Sequence, residues 1–216
     1  FMITKSNEDN IKDVASILGS SKRPAMIAPI LFNPMKKNWA INSLNDIHKA
    51  QQDGFEIWGQ VSCRPLTMEF TMQEPYMLEG LSSWKKVMVE KNLEKKYEFL
   101  KDKKFRTALL HEINDTSKNK LFVGNWDKIT LLKTSNSNLN KFIGCNLSDI
   151  ADAAGKEPLD WILDHTISGG IQDLFKAELL NSDINEVKKL LLHKNSTIAL
   201  SDAGAHLSLL CDAGYG

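Results

Sequence analysis

The first part of the chain alternates between helical and strand-like spacing of apolar residues. Four apolar residues lie at helical spacing before Gly19: Ile11, Val14, Ala15 and Leu18. The apolar run 25–32 predicts a buried strand, and the amphipathic pattern over 38–53 predicts a helix that Gly54 closes. Residues 55–61 predict a second strand. Strand, helix and strand in this order indicate a βαβ unit with parallel pairing and a right-handed crossover.

The middle of the chain shows no clean alternation. Methionines and aromatic residues are frequent there, and we expect a compact insert over about 63–140 that follows one strand. The charged stretch 90–104 keeps apolar residues at helical spacing and predicts a solvated surface helix. The runs 121–123 and 129–132 predict short strands.

Regular spacing returns at residue 146. Helices are predicted from about Leu147 and Pro158, and a further helix begins at Asp183 and Glu186, which have capping-box spacing. The run 197–200 predicts a strand. The pattern as a whole predicts an α/β fold built of βα units, with a long insert after one strand.

Charge and cysteine content exclude several classes of function. The 216 residues carry 27 Lys and Arg against 27 Asp and Glu, so a nucleic acid or an anionic membrane has no electrostatic attraction to the chain. No apolar run approaches the roughly 18 residues that a membrane-spanning helix needs. The cysteines Cys63, Cys145 and Cys211 are widely spaced and form no CxxC pair. They favour a reducing compartment, and we expect a cytoplasmic location.

Candidate chemistry lies at the carboxyl ends of the predicted strands, where ligands bind in parallel α/β folds. The last strand leads into Asp202, three small residues and His206. A carboxylate with an imidazole four residues on could bind a metal or move protons. An Asp that caps the next turn beside a surface His is the alternative interpretation.

A second strand ends at Cys63 and Arg64. Arg64 could hold a substrate carboxylate in a bidentate pair, and a structural salt bridge is an equal alternative. Cys63 is more typical of a small buried side chain than of a nucleophile. The other four histidines have the pattern of surface or helix-terminal residues: His48, His111, His165 and His193.

The segment 201–213 resembles the SDGGAH…CDA segment of the N-acyl-D-amino-acid deacylase branch of the amidohydrolase superfamily. Here it reads SDAGAHL followed by CDA. Further features agree in order along the chain: Arg23-Pro24, Trp39, Asp53-Gly54, Gln60-Val61, Arg64-Pro65, Asp149-Ile150-Ala151 and Pro158-Leu159-Asp160. The resemblance implies that residues 1–216 are the C-terminal part of a (β/α)₈ TIM-barrel hydrolase, with the HxH metal motif upstream of Phe1.

The resemblance also implies an activity and its residues. A divalent metal, usually zinc, activates water against the amide of an N-acyl (D-)amino acid. Asp202 would contact the metal and carry the proton, and His206 would contact the substrate. The strand ends at Ala28-Pro29 and Ser62-Cys63 lack the metal-binding histidines of many relatives.

These departures leave two alternatives open: a cyclic-amide hydrolase of the same superfamily, or a metal-free barrel homologue with a binding role. The expected partner is the small-molecule substrate. Nucleic acid and membrane are not expected, and a homo-oligomer is one option for the assembly.

Overall fold

The chain forms two units. The computed structural model describes residues 1–5, 10–19, 21, 23–118 and 120–199. The sheet unit comprises Phe1–Thr67 and the residues from Leu180 onward, and the inserted unit comprises Met68–Leu179. The expected insert over 63–140 covers the first part of the inserted unit, which continues to Leu179.

The sheet unit is built on parallel strands. Its strands are β1 (Met2–Thr4), β2 (Ala25–Ile30), β3 (Ile57–Val61) and β7 (Ser196–Ile198), in the order β1-β2-β3-β7. Every neighbouring pair is parallel. The parallel α/β pattern predicted from the sequence is therefore confirmed. In the described residues the sheet is open, with β1 and β7 at its edges.

The helices of the sheet unit pack in sequence order. They are α1 (Ile11–Gly19), α2 (Trp39–Gln52) and α9 (Ile184–Leu191). The helix α1 packs against α2, and α2 packs against α9. Right-handed crossovers that always step to the next strand place their helices on one face of the sheet. A doubly wound sheet would cover both faces, so this arrangement is that of consecutive βα units.

An aliphatic core joins these helices to the sheet. Its fully buried members come from β2, α2 and β3: Ile27, Ile30, Leu44, Ile47, Ile57 and Val61. The helix α2 lies close to β3, because a Cβ on Gly59 would meet Leu44 Cδ2 at 2.6 Å. Branched aliphatic side chains of this kind fill the space between a parallel sheet and its helices.

The inserted unit combines a small sheet with helices. Its strands are β4 (Leu66–Phe70), β5 (Ile129–Lys133) and β6 (Leu174–Leu180), in the order β4-β6-β5, and β5 pairs antiparallel with β6. Its α-helices in the described residues are α3 (Tyr76–Glu79), α4 (Lys85–Val89), α5 (Leu93–Lys101), α6 (Lys103–Asn114), α7 (Leu147–Ala153) and α8 (Pro158–Ile167). Methionines and aromatic residues belong to its core together with aliphatic side chains, as the sequence predicted.

Several elements differ from the sequence-based expectation. The strands β1, β4 and β6 and the helix α6 were not predicted, and the strand predicted over 121–123 is wrong. Phe122 instead lies in a loop, where its ring packs edge-on against Trp126 at 4.7 Å between centroids. The run is apolar because Phe122 is buried although it lies in a loop. Among the described residues, no helix has both the length and the apolar content to span a membrane.

Candidate functional site

The candidate site is the edge of the parallel sheet at which its strands end, here called the carboxyl edge. Its described residues are Lys5 after β1, 31–38 after β2, 62–65 after β3 and Ala199 after β7. Because neighbouring parallel strands end on the same side, these segments lie at a common edge.

Asn181 ties two of these segments together. Its side chain is buried, with the residue 2% exposed, and its Oδ1 accepts a hydrogen bond from Phe32 N at 3.1 Å. Its Nδ2 donates to Ser62 O at 2.7 Å and to Arg64 O at 2.9 Å. The backbone of Asn181 has a φ of 59°, a left-handed conformation that Asn tolerates better than most residues. Asn181 thereby fixes the loop after β2 against the loop after β3.

Arg64 lies in a tight turn at the end of β3. Ser62 Oγ donates to Arg64 O at 2.8 Å and accepts from Arg64 N at 3.1 Å. The Arg64 side chain is exposed, as a substrate-binding residue requires. Cys63 is also exposed, which corrects the expectation of a buried thiol. The turn directs residue 63 outward, because its neighbours on both sides are bonded to Asn181.

A buried lysine at this edge was missed by the sequence analysis. Lys5 follows β1, is 6% exposed, and its Nζ lies 4.8 Å from the centroid of the Trp39 ring. A cation at this distance over an indole is stabilised by the ring quadrupole. The sequence pattern around Lys5 is too short to place this residue at a strand end, because β1 is only three residues long and was itself not predicted.

The loops of the carboxyl edge carry positive charge. The segments 31–38 and 62–65 contain Lys36, Lys37 and Arg64 and no carboxylate. Together with Lys5, these cations give the described part of the edge an attraction for anionic ligands. A carboxylate-bearing small molecule matches this charge.

Two predicted site residues lie outside the described residues. These are Asp202 and His206. The strand that leads to them is described: β7 pairs parallel with β3, with Val61 opposite Ile198, and Ala199 N donates to Val61 O at 3.1 Å. The chain therefore leaves β7 directly beside β3, the strand that leads into the turn at Arg64.

The described residues do not fit a metal centre. Among them, no group of three or more His, Cys, Asp or Glu side chains could hold a metal ion. In the loops 31–38 and 62–65, Cys63 is the one residue of these types. A zinc site needs about three protein ligands, so the ligands implied by the resemblance would have to come from outside the described part of the chain.

A second cluster of polar side chains lies in the inserted unit. Asp173 is 2% exposed, and its carboxylate accepts from Thr134 Oγ1 at 2.5 Å and from Ser135 N at 2.9 Å. His165 Nε2 lies 2.7 Å from Asp173 Oδ2, and the His165 ring stacks on Trp161 at 4.9 Å. Burial alone would raise the pKa of Asp173, but the hydrogen bonds from Thr134, Ser135 and His165 outweigh it and lower that pKa.

The geometry of this cluster argues against nucleophilic catalysis. The hydroxyls of Thr134 and Ser135 bond to the carboxylate, and no hydrogen bond in the described residues joins either of them to His165. A catalytic triad needs the base between the nucleophile and the carboxylate. The cluster therefore has a structural role: its hydrogen bonds join the loop after β5, the end of α8 and the start of β6. His165 has the helix-terminal position expected from the sequence.

Comparison with known proteins gives a weak structural likeness. No protein-family model matches the sequence, and no curated protein matches it. A crystal structure of D-aminoacylase, described as defining a novel subset of amidohydrolases, is 10% identical with a TM-score of 0.38. The likeness covers 92% of this chain and 31% of that chain.

A second solved structure is N-acyl-D-glutamate deacylase from Bordetella bronchiseptica, complexed with zinc and a phosphonate inhibitor. It is 13% identical with a TM-score of 0.38, over 92% of this chain and 30% of that one. Our chain thus spans about a third of the length of these proteins. Likeness at this level does not assign the chain to a family.

Proposed function

We propose that the protein hydrolyses the amide C–N bond of an N-acyl amino acid, with the D-configuration that the sequence resemblance implies. One observation carries the proposal: β7, which leads into the 201–206 segment, pairs in parallel with β3, which leads into the turn at Arg64. This pairing supports a common site for Asp202, His206 and Arg64 at the carboxyl edge.

The charge of the carboxyl edge supports an anionic substrate. An N-acyl amino acid carries a free carboxylate and a neutral amide. Arg64 would bind the carboxylate in a bidentate pair, and Lys36 and Lys37 add attraction from the loop after β2. Asn181 holds the Arg64 turn in place through its bonds to Ser62 O and Arg64 O.

Asp202 would act as the proton carrier. It takes a proton from water as the water oxygen bonds to the amide carbon, and it returns the proton to the amine nitrogen as the C–N bond breaks. His206 would contact the substrate near the reacting carbonyl. Asp202 would also contact a divalent metal, with zinc as the expected ion. The described residues do not form the rest of its site.

The test is release of free amino acid from N-acetyl-D-amino acids. Asp202→Asn should lower kcat by about 10²–10⁴-fold, because loss of a general base typically costs that much. Asp152→Asn, at an exposed position of α7, is the matched control and should leave the rate unchanged. Activity of Asp202→Asn within about tenfold of the original protein would contradict the assigned role.

The role of Arg64 is tested through substrate binding. Arg64→Gln should raise KM for the N-acyl amino acid by about ten- to a hundredfold, since a hydrogen bond to a charged group contributes roughly that factor. Arg23→Gln is the control, because Arg23 is exposed and precedes β2 at the opposite edge. Equal KM values for the two variants would show that Arg64 does not bind the substrate.

A metal-free binding protein is the second candidate. The shortage of metal-binding side chains favours this candidate, because the loops after β2 and β3 carry neither histidine nor carboxylate. Metal analysis of the purified protein separates the two, since stoichiometric zinc supports the hydrolase. N-acyl amino acid binding without metal and without turnover would support the binding protein.

A further inference from the structure

A cluster of polar side chains joins α2 to the turn that precedes β7. Asn45, His48 and Gln51 follow one another at intervals of three residues on α2 and therefore share one helix face. Asn45 Oδ1 lies 3.3 Å from His193 Nε2 in the turn. Gln51 Oε1 accepts a hydrogen bond from Asn195 Nδ2, two residues further along the same turn. His48 lies between these two contacts, so its ring is next to the turn.

His193 is hydrogen-bonded as a neutral ring. Its Nδ1 accepts from Asn195 N at 3.3 Å, so that nitrogen carries no proton. Its Nε2 then carries the ring proton and donates to Asn45 Oδ1. Protonation of Nδ1 would set two N–H donors against each other, and the hydrogen bond to Asn195 would be lost.

The charges around His193 oppose its protonation. Burial lowers its pKa below 6.5, and the charges of His48 and Lys194 lower it further. The strands β3 and β7 carry no charged side chain. The remaining charged side chains of α2 and α9 are two salt-bridged pairs and one exposed lysine: Asp46 with Lys49, Glu186 with Lys189, and Lys188.

The strand β7 has little to hold it in the sheet. It is three residues long, and in the described residues it lies at an edge and pairs with β3. Gly59 N of β3 donates to Asn195 O at 2.9 Å, so the turn is bonded to β3 as well. Within the described part of the chain, the buried atoms His48 Nδ1 and Asn195 Oδ1 have no hydrogen-bond partner, which costs free energy in the closed arrangement. Short edge strands of this kind open at low free energy.

We propose that protonation of His193 is a reversible switch that releases β7 from β3. The open arrangement binds the proton more readily, so its population grows as the pH falls below about 6.5. Asp202 follows the end of β7 by four residues, so release of the strand would also reduce hydrolysis. This second effect rests on the proposed function, whereas the release of β7 does not.

Amide hydrogen exchange of the full chain, followed by NMR, measures the release. The Gly59 N–H reports on β7 through its bond to Asn195 O, and the Ala25 N–H, bonded to Glu56 O at 2.8 Å, reports on the other side of β3. Gly59 should exchange faster than Ala25. Its exchange should depend little on low urea concentrations, because release of a three-residue strand exposes little surface. Below about pH 6.5 its protection factor should fall by up to about tenfold per pH unit.

Variants assign the pH dependence to the ring. His193→Asn keeps an acceptor for the turn but cannot take up a proton, so the protection factor of Gly59 should no longer depend on pH. His111→Asn, at an exposed position of α6, is the matched control and should behave as the original protein does. His48→Gln should make the fall in protection smaller, because it removes a charge that opposes protonation of the folded His193.

The proposal is overturned if Gly59 and Ala25 have equal protection and equal urea dependence, since β7 would then open only with the rest of the sheet unit. Retention of the pH dependence in His193→Asn would also overturn it. Hydrolysis by the same proteins tests the second effect: kcat/KM should fall below pH 6.5 more steeply in the original protein than in His193→Asn. Equal pH profiles would overturn that effect, and a complete lack of hydrolysis would overturn the proposed function while the exchange data still decide on the switch.

Discussion

Asn181 in the sheet unit and Asp173 in the inserted unit are buried polar residues that each join distant segments, but they differ in charge. Both residues are 2% exposed. Asn181 offers a donor and an acceptor, and it meets carbonyls with its Nδ2 and an N–H with its Oδ1. Asp173 offers acceptors alone, and donors surround it.

This difference separates two ways of stabilising a loop. A neutral amide stabilises its neighbours to the same extent across the pH range in which proteins fold. A carboxylate forms stronger hydrogen bonds, but it is paired at the cost of desolvation and it loses its acceptor role when protonated. The sheet unit thus holds its candidate site with a neutral residue, and the inserted unit depends on a charged one.

Asp173→Ala should be the most destabilising of the changes considered. It leaves the Ser135 N–H, both hydroxyls and the His165 ring without their acceptor, so we expect a loss of about 3–5 kcal/mol in the free energy of unfolding. Urea denaturation measures it. Asp152→Ala at an exposed position of α7 is the control and should cost less than about 0.5 kcal/mol. A cost below about 1 kcal/mol for Asp173→Ala would show that Asp173 contributes little to the stability of the inserted unit.

Asn181→Ala should cost somewhat less, about 2–4 kcal/mol. Phe32 N–H and the carbonyls of Ser62 and Arg64 lose their partner, but no charge is left unpaired. Asn185→Ala, at an exposed position of α9, is the matched control. Urea denaturation measures the free energy of unfolding of both variants. Equal values for Asn181→Ala and Asn185→Ala would show that water takes over the hydrogen bonds of Asn181 at the carboxyl edge.

Asn181 could not be predicted from the sequence, because its partners are far away along the chain. Its hydrogen bonds span 149, 119 and 117 residues. The pairing of Asp173 with Thr134 and Ser135, 39 and 38 residues apart, is hidden in the same way. Periodicity records which face of an element is buried, and it contains no information about which loops meet.

Periodicity predicted the sheet unit better than the inserted unit. The helix α2 and strands β2 and β3 were predicted within two residues at each end, because one helix face or a whole strand is apolar there. In β6 the buried residues Phe175, Ala177 and Leu179 alternate with partly exposed ones, so the strand signal was present but short. Arg64 was placed at the end of its strand, and Lys5 was missed with β1.

The two units should respond to acid in different pH ranges. In the sheet unit, burial, followed by the charges of His48 and Lys194, lowers the pKa of His193 below 6.5. The unfolded state then binds a proton first as the pH falls, so this contribution to stability is present above about 6.5 and is lost as the pH falls through the folded pKa. The neutral ring fits its hydrogen bonds, because Nδ1 accepts from Asn195 N at 3.3 Å.

In the inserted unit the acid response should begin lower. Burial would raise the pKa of Glu112, but hydrogen bonds from Ser83 and Ser82 outweigh it and lower that pKa from 4.5 to about 2. Stability from Glu112 is present above about 4.5 and is lost as the pH falls to about 2, by roughly 1–2 kcal/mol after allowing for solvent screening. Asp173, with its lowered pKa, adds a loss of the same sign.

NMR signals of the tryptophan indole N–H groups can separate these responses. Trp39 and Trp58 report on the sheet unit, and Trp84, Trp126 and Trp161 report on the inserted unit. The sheet-unit signals should begin to change as the pH falls below about 6.5, before those of the inserted unit, and His193→Gln should abolish that step. Simultaneous change of all five signals at one pH would show that the units do not differ in this way.

The smallest expected effects concern helix caps, which should not distinguish the units. Asp183 Oδ1 accepts from Asn185 N at 2.9 Å at the start of α9, and Asn146 Oδ1 accepts from Asp149 N at 2.9 Å at the start of α7. Asp183→Ala and Asn146→Ala should each cost about 1 kcal/mol at pH 7, since each leaves a first-turn N–H without its acceptor. Urea denaturation at pH 7 measures both.

The charged cap belongs to the sheet unit and the neutral cap to the inserted unit, the reverse of Asn181 and Asp173. Equal costs for the two cap variants would show that charge matters less at a helix cap than in a buried cluster. A cost for Asp183→Ala well above that of Asn146→Ala would contradict this.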